Sequence, residues 1–272
     1  PGYSGADQSA ATLLAEARRI GAPLMIKAAA GGGGRGMRRC DDVTDERELR
    51  ALLEAAHKEA SASFGNGDLL LERLLERARH VEVQVFGDAH GNYVHLGERD
   101  CSTQRRNQKI LEESPAPGVD AALRTALGEA AIRLAREVGY IGAGTVEFLM
   151  EPDGSFHFLE MNTRLQVEHP VTEAVTGLDL VEWQLRIASG EPLPRAQDEI
   201  RLAGHAIEAR VCAEDPWAGF APQSGDILAW ALPSIEGVRV DHGLTEQAIV
   251  PTYYDSMIAK VIAHGTTREQ AR

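Results

Sequence analysis

Glu147, Glu160 and Asn162 are spaced so that three oxygen donors can share one face of a hairpin. Val146-Glu147-Phe148-Leu149-Met150 and Phe156-His157-Phe158-Leu159-Glu160-Met161 are strand-like runs, and Pro152-Asp153-Gly154 between them is a turn signal. With Asp153-Gly154 as a two-residue turn, Glu147 stands directly opposite Glu160 and Asn162 follows on the same face. Like charges so placed destabilise a sheet, so something positive is expected between them. An all-oxygen donor set suits a hard cation such as Mg²⁺. Two readings stay open from the hairpin alone. One is a cation site. The other is a solvent face on which both carboxylates splay into water, or a pairing broken by a bulge near Pro152.

Two other stretches carry groups that could meet an anion. Leu24-Met25-Ile26-Lys27-Ala28 is a short apolar strand that runs into Gly31-Gly32-Gly33-Gly34-Arg35-Gly36-Met37. The run contains GxGxxG, but a dinucleotide fingerprint needs a helix straight after it, and Met37-Arg38-Arg39-Cys40 is strand-like. No Gly-Lys-Ser/Thr closes it, so it is not a P-loop. A glycine-rich hairpin tip remains, whose bare amides can fold over phosphates, with Lys27 at its base as a point charge. The bland alternative is a flexible surface loop. The second stretch, Asp100 to Lys109, brings Arg105, Arg106 and Lys109 together in an acidic chain. The usual fate of such a run is a solvated basic loop.

These groups sit in a chain of 272 residues, long enough for one large domain or two smaller ones with real cores. The formal net charge of −13 argues against nonspecific nucleic-acid binding and against an anionic membrane surface. No apolar run approaches the roughly 18–20 residues of a membrane span. Cys40, Cys101 and Cys212 are isolated, with neither metal spacing nor a disulfide framework, which suggests a reducing compartment. Pro1-Gly2-Tyr3-Ser4-Gly5 and the run from Thr267 to Arg272 look like cut ends, so a piece of a longer polypeptide is expected.

Apolar periodicity predicts helices over about Asp7–Ile20, Asp45–Phe64, Ala121–Gly139 and, largely, Thr172–Ser189. Strands are expected at 68–75, at Arg79–Phe86 (strictly alternating, hence half-buried), and at Tyr93–Leu96. Later strands are expected at 208–216, Ile227–Trp230, Val238–Asp241 and Met257–Ala263. The predicted class is α+β.

Several stretches together resemble one family. They are Lys27-Ala28 with Gly31–Met37, Arg79-His80-Val81-Glu82-Val83-Gln84, Glu98-Arg99-Asp100-Cys101-Ser102 and Gln104-Arg105-Arg106. Glu160-Met161-Asn162-Thr163-Arg164, Gln166-Val167-Glu168-His169-Pro170, Ala213-Glu214-Asp215-Pro216 and Tyr253-Tyr254-Asp255-Ser256-Met257 complete the set. The sequence resembles the biotin carboxylase domain of biotin-dependent carboxylases, in the ATP-grasp group, over essentially its whole length. The resemblance implies an ATP-grasp fold. A glycine-rich lid subdomain would span residues 1–73. A larger, mainly antiparallel sheet domain with flanking helices would span 74–272.

It also implies that ATP and bicarbonate give carboxyphosphate and ADP, and that the carboxyl group then moves to N1 of biotin. Lys27, Gly31, Gly32, Gly33, Gly34 and Gly36 would hold the ATP phosphates, with Met37, Glu72, Arg73, Leu75 and Leu149 around the adenine. His80 and Gln104 would reach the ribose or phosphates. Glu147, Glu160 and Asn162 would ligate Mg²⁺ or Mn²⁺. Lys109, Arg164, Gln166 and Val167 would hold bicarbonate, Glu168 would deprotonate it, and Arg210 would steady the biotin enolate. A biotin carboxyl carrier domain, a carboxyltransferase and a homodimer or larger assembly are the implied partners. The implied location is the cytoplasm, or the mitochondrial matrix in a eukaryote. Arg73 stands where many relatives have lysine, and Asn107 where others have histidine. The family's N-terminal domain and part of its C-terminal end are not matched. Another ATP-grasp ligase is the alternative enzyme, and a nucleotide-binding module without turnover is the alternative of a different class.

Overall fold

A computed structural model describes residues 1–31, 36–245 and 248–272. The chain divides into two compact units, Pro1–Arg77 and Ala78–Arg272.

In the first unit, strands β1 (Gly2–Tyr3), β2 (Leu24–Ala28), β3 (Arg38–Cys40) and β4 (Leu69–Arg73) form an antiparallel sheet in the order β1-β4-β2-β3. Helices α1 (Ala10–Ile20) and α2 (Glu46–Phe64) supply the other half of its core. Each helix starts on a side-chain cap. The Ser9 hydroxyl accepts from the Thr12 amide, and the Asp45 carboxylate accepts from the amides of Arg47 and Glu48. Alternation along β2 buries Leu24, Ile26 and Ala28 among these helices and leaves Lys27 on the other face.

The second unit is built on an eight-stranded antiparallel sheet. Its strands are β5 (Arg79–Gly87), β6 (Tyr93–Arg105), β7 (Gln108–Ser114), β8 (Gly142–Met150), β9 (Phe156–Asn162), β10 (His205–Cys212), β11 (Val238–His242) and β12 (Met257–Gly265). Their order is β11-β12-β10-β7-β6-β5-β8-β9. Helix α3 (Ala121–Glu137) packs Leu127, Ala131 and Ala135 against Val81, Val83, Val146 and Phe148 on one face. Helices α4 (His169–Thr176) and α5 (Leu180–Ala188) cover the other, where Phe86, Leu96 and Ala143 meet Trp183 and Ala206 meets Val171. A short α6 (Arg268–Ala271) closes the chain.

Five expectations from sequence are corrected. The Asp100–Lys109 stretch is not a solvated loop but the β6–β7 hairpin, turning at Arg106 and Asn107, whose φ of 50° and 65° are left-handed. The β6 and β7 arms pair with each other, Gln104 opposite Lys109 and Arg105 opposite Gln108, and the charges of the stretch find carboxylate partners. The helical stretch after Thr172 breaks at Gly177 (φ 68°), and Asp179 caps a new helix by accepting from the Glu182 amide. Ile227–Trp230 forms no strand, and Leu228 is exposed. Strand β5 is buried on both faces because helices lie on both sides of the sheet.

The fifth correction concerns the hairpin itself. Met150 pairs with Phe156 across a five-residue connection, 151–155, not a two-residue turn. That connection shifts the register by one. Leu159 then bulges out of β9, because Phe148 pairs with Phe158 while Glu147 pairs with Glu160. The bulge cancels the offset and restores the opposition of the two carboxylates.

Candidate functional site

In the first unit, Lys27 and Glu72 project from β2 and β4 on the face away from the helices and form an ion pair. Gly31 donates to the Ala28 carbonyl, 3.0 Å, and Gly36 accepts from the Ala28 amide, 3.3 Å, so both flank the end of β2. Gly36 has φ of 70°, and a Cβ there would sit 3.2 Å from that of Ala28, so the position is reserved for glycine. Met37 is partly exposed, Arg73 pairs with Leu24 at the far end of β2, and Leu75 lies just past β4. Gly32, Gly33 and Gly34 lie outside the described residues.

In the second unit, strand register lines up a row of charge across one sheet face. Glu160 on β9 pairs with Glu147 on β8, Glu147 with Glu82 on β5, and Glu82 with Arg99 on β6. Three neighbouring carboxylates would not persist without cations. Arg99, fully buried, donates to Glu82 (2.6 Å), Gln84 (2.8 Å), Thr172 (3.0 Å), Gln166 (3.1 Å) and Thr145 (3.2 Å). Lys109 reaches three carboxylates, Glu82 at 2.6 Å, Glu147 at 2.9 Å and Glu168 at 2.6 Å. Burial opposes ionisation of Glu82, yet Arg99 and Lys109 outweigh it and hold the carboxyl down at about 2. Glu147 is likewise held at about 2 against burial, by His80 and Lys109.

The remaining predicted residues surround this row. Gln104 Nε2 donates to His80 Nδ1, 2.9 Å, which leaves the imidazole proton on Nε2. That Nε2 lies 2.9 Å from Glu147 Oε2, off the line of a good hydrogen bond. Leu149 pairs with His80 in the strand register. Glu147 Oε1 also accepts from Asn162 and Gln166, each 2.9 Å. Glu168 stands at the start of α4, buried, with Oε1 on Lys109 and Oε2 on Arg210 at 3.0 Å. The Val167 carbonyl accepts from Lys260, 2.7 Å. Arg164 is exposed and has no carboxylate partner among the described residues.

Glu160 also lacks an ion-pair partner among the described residues, although it faces a carboxylate. With the Asn162 amide beside it, the donors Glu147, Glu160 and Asn162 fit a hard divalent cation, whose charge the pairing calls for. The tightest groups of ligating atoms, His80-Glu82-Glu147 and Glu82-Cys101-Glu168, do not include Glu160 and are already served by Lys109 and Arg99.

Residues 1–196 match the family model described as carbamoyl-phosphate synthase L chain, ATP binding domain, and residues 208–272 match the biotin carboxylase C-terminal domain. The chain belongs to the biotin carboxylase family. It is 54% identical over 271 residues to methylcrotonoyl-CoA carboxylase subunit alpha, mitochondrial, of Mus musculus, covering 99% of this chain and 37% of that protein. It is 51% identical over 271 residues to biotin carboxylase of Nostoc, covering 100% of this chain and 60% of that protein. A solved structure of the biotin carboxylase domain dimer of Hydrogenobacter thermophilus 2-oxoglutarate carboxylase, in complex with MgADP, ADP and bicarbonate, superposes with a TM-score of 0.93. It shares 47% identity, covering 100% of this chain and 59% of that one. The chain thus spans between 37% and 60% of the length of these relatives. The expected ATP-grasp architecture, a mixture of helices and antiparallel sheet, agrees with that superposition.

Sequence reasoning named neither Glu82 nor Arg99 as a site residue, and it passed over Glu112, Glu208 and Lys260. No local signal marked the first two: Glu82 fits the polar phase of an alternating strand and Arg99 lies beyond the expected strand at Tyr93–Leu96, and only burial on both faces of the sheet makes each costly unless paired. What the sequence lacked was the register that pairs them.

Proposed function

We propose that this chain is the catalytic part of a biotin carboxylase. It would use ATP and bicarbonate to make carboxyphosphate and pass the carboxyl group to N1 of biotin on a carrier domain. The observation that carries the reading is the Glu168 carboxylate, buried and held by Lys109 on one oxygen and Arg210 on the other. Bicarbonate is a planar anion and a poor nucleophile. It needs cationic groups to seat it and a placed carboxylate to take its proton. Lys109, exposed Arg164 and Arg210 are the cations within this segment, with Gln166 and Val167 completing the seat. Glu168 is the base, and Arg210 would stabilise negative charge on the biotin ring.

Glu147, Glu160 and Asn162 would hold Mg²⁺, which when bound neutralises charge on the phosphates. His80, Gln104 and Leu149 of the second unit, and Lys27, Glu72, Arg73, Met37, Leu75 and the glycine run of the first, are assigned to ATP. The bicarbonate and MgADP of the solved relative support the same substrate set. A carboxyltransferase, a carrier domain and a dimeric assembly are proposed as partners, in a parent enzyme acting on an acyl-CoA. The mitochondrial matrix is proposed for a eukaryotic parent, in line with a mouse relative named as mitochondrial, and the cytoplasm otherwise. No helix among the described residues is long and apolar enough to cross a membrane. The test is ADP release by the full-length enzyme. Hydrolysis should require bicarbonate and rise with free biotin, and hydrolysis indifferent to both would sink the reading.

A further inference from the structure

Glu208 is the one residue whose two carboxylate oxygens are both buried and both without a hydrogen-bond partner among the described residues. It lies centrally in β10, between Ala206, which packs under α4, and Arg210 on the same face. Its partner across the ladder to β7 is Glu112, and across to β12 it is apolar Ile262. Glu112 donates nothing and accepts from Arg210 Nε at 2.6 Å through one oxygen, while its other oxygen is also orphaned. So two carboxylates stand side by side in a dry part of the sheet, with three unpaired oxygens between them.

Two ionised glutamates directly opposite on adjacent strands repel, and an unpaired buried charge costs several kcal/mol. One proton removes both difficulties. It discharges one carboxylate and turns an acceptor into a donor for the neighbour that the register sets beside it. The proton belongs on Glu208, because Glu112 accepts directly from the Arg210 guanidinium while neither oxygen of Glu208 has a hydrogen-bond partner among the described residues.

We propose that Glu208 is held as the neutral acid and acts through Glu112 as a positioning residue, keeping the field around Arg210 cationic enough to hold an anion on the acceptor ring. This rests on the proposed function, in which Arg210 serves the biotin half of the reaction. Arg210 already faces two carboxylates, Glu112 and Glu168. A third negative charge beside it would leave it over-compensated. The other groups that face Glu208 are accounted for. Lys260 on β12 donates to the Val167 carbonyl and lies 3.7 Å from Asp241 on β11. Glu168, His169 and Glu173 start and line α4 above it, with Glu173 paired to Arg239. Arg268 of α6 and His205 both bind Glu113 on the opposite face of the sheet. Burial pushes Glu208 up to about 8 and Glu112 up to about 7, with Lys260 and Arg210 respectively working against it.

The test uses the full-length enzyme and Glu208→Gln, which keeps the shape and the neutral donor but cannot ionise. Biotin-stimulated ADP release by the wild type should decline as pH rises through about 8. In Glu208→Gln that decline should move up by at least about one pH unit, a tenfold change in proton affinity. Glu208→Leu, which has no donor, should lose biotin stimulation at every pH. If the declines of wild type and Glu208→Gln coincide, or if Gln is as damaging as Leu throughout, the proposal is overturned. A second measurement needs no variant. Infrared spectra of the wild type should show a buried protonated carboxyl band one pH unit below the transition that is gone one unit above it, and its absence below would equally overturn the proposal. Bicarbonate dependence of basal hydrolysis, measured alongside, tests the functional reading separately from the protonation of Glu208.

Discussion

Replacing Arg99 by methionine removes the one cation that the scaffold of the site has buried completely. The variant keeps most of the side-chain volume and deletes all five side-chain donors. Glu82 is then left in a dry position with only Lys109, at 2.6 Å on its other oxygen. Breaking a buried pair from one side costs about 3–5 kcal/mol. The lowered pKa of Glu82 points the same way: against burial, Arg99 together with Lys109 brings the carboxyl from 4.5 to about 2. This contribution is fully present above about pH 4.5 and is lost as pH falls toward about 2. For a domain of about 150–250 residues, each kcal/mol shifts the midpoint by about 2–4 °C, so Arg99→Met should unfold about 10 °C below wild type near neutrality. The gap should narrow as acid protonates Glu82. Circular dichroism melts over a pH series measure both. A double variant, Arg99→Met with Glu82→Leu, should recover much of the loss because it removes the stranded charge. A midpoint within about 2 °C of wild type would refute the charge argument, as would a double variant no better than the single.

Two further outcomes follow from the site and its supporting turn. Glu168→Gln should lower bicarbonate-dependent ADP release about 10²–10⁴-fold while nucleotide affinity, measured by calorimetry, stays near wild type, since only the proton acceptor is lost. Asn107 holds a φ of 65° at the β6–β7 turn, so Asn107→Val should cost about 1–2 kcal/mol in thermal stability while Asn107→Gly is tolerated; equal melting of the two would remove the strain argument.

The helices and most strands were legible because their signals are local: apolar periodicity over 7–20 and 45–64, and the short apolar run 24–28. The opposition of Glu147 and Glu160 was legible for a less direct reason. It was deduced from a two-residue turn that does not exist, and it holds because the Leu159 bulge offsets the longer connection. Nothing local marks Leu159 as the extra residue, since it sits within a continuous strand-like run from Phe156 to Met161. The β6–β7 hairpin was missed because charge density normally means solvent, and here it means partners: Arg105 on Glu214, Lys109 on three carboxylates. Those partners lie up to 109 residues away, where no local signal reaches.

The degree to which each buried charge is satisfied separates scaffold from chemistry in this site. Arg99 has every donor matched by a fixed side chain, so no ligand can use it without unmaking the core. It fixes Glu82, Thr145, Gln166 and Thr172 relative to one another, and so ties three strands to the start of α4. Glu160 and Arg164 are the reverse case, one carboxylate and one guanidinium near the surface with no opposite charge committed to them among the described residues. They cost little to leave open and are free to meet a cation and an anion. Glu168 stands between these extremes. Both of its oxygens are taken, but by Lys109 and Arg210, the two groups an incoming anion would also seek. An anion arriving there would compete for the same two cations as the carboxylate proposed to take its proton, so seating the anion and freeing Glu168 are one event.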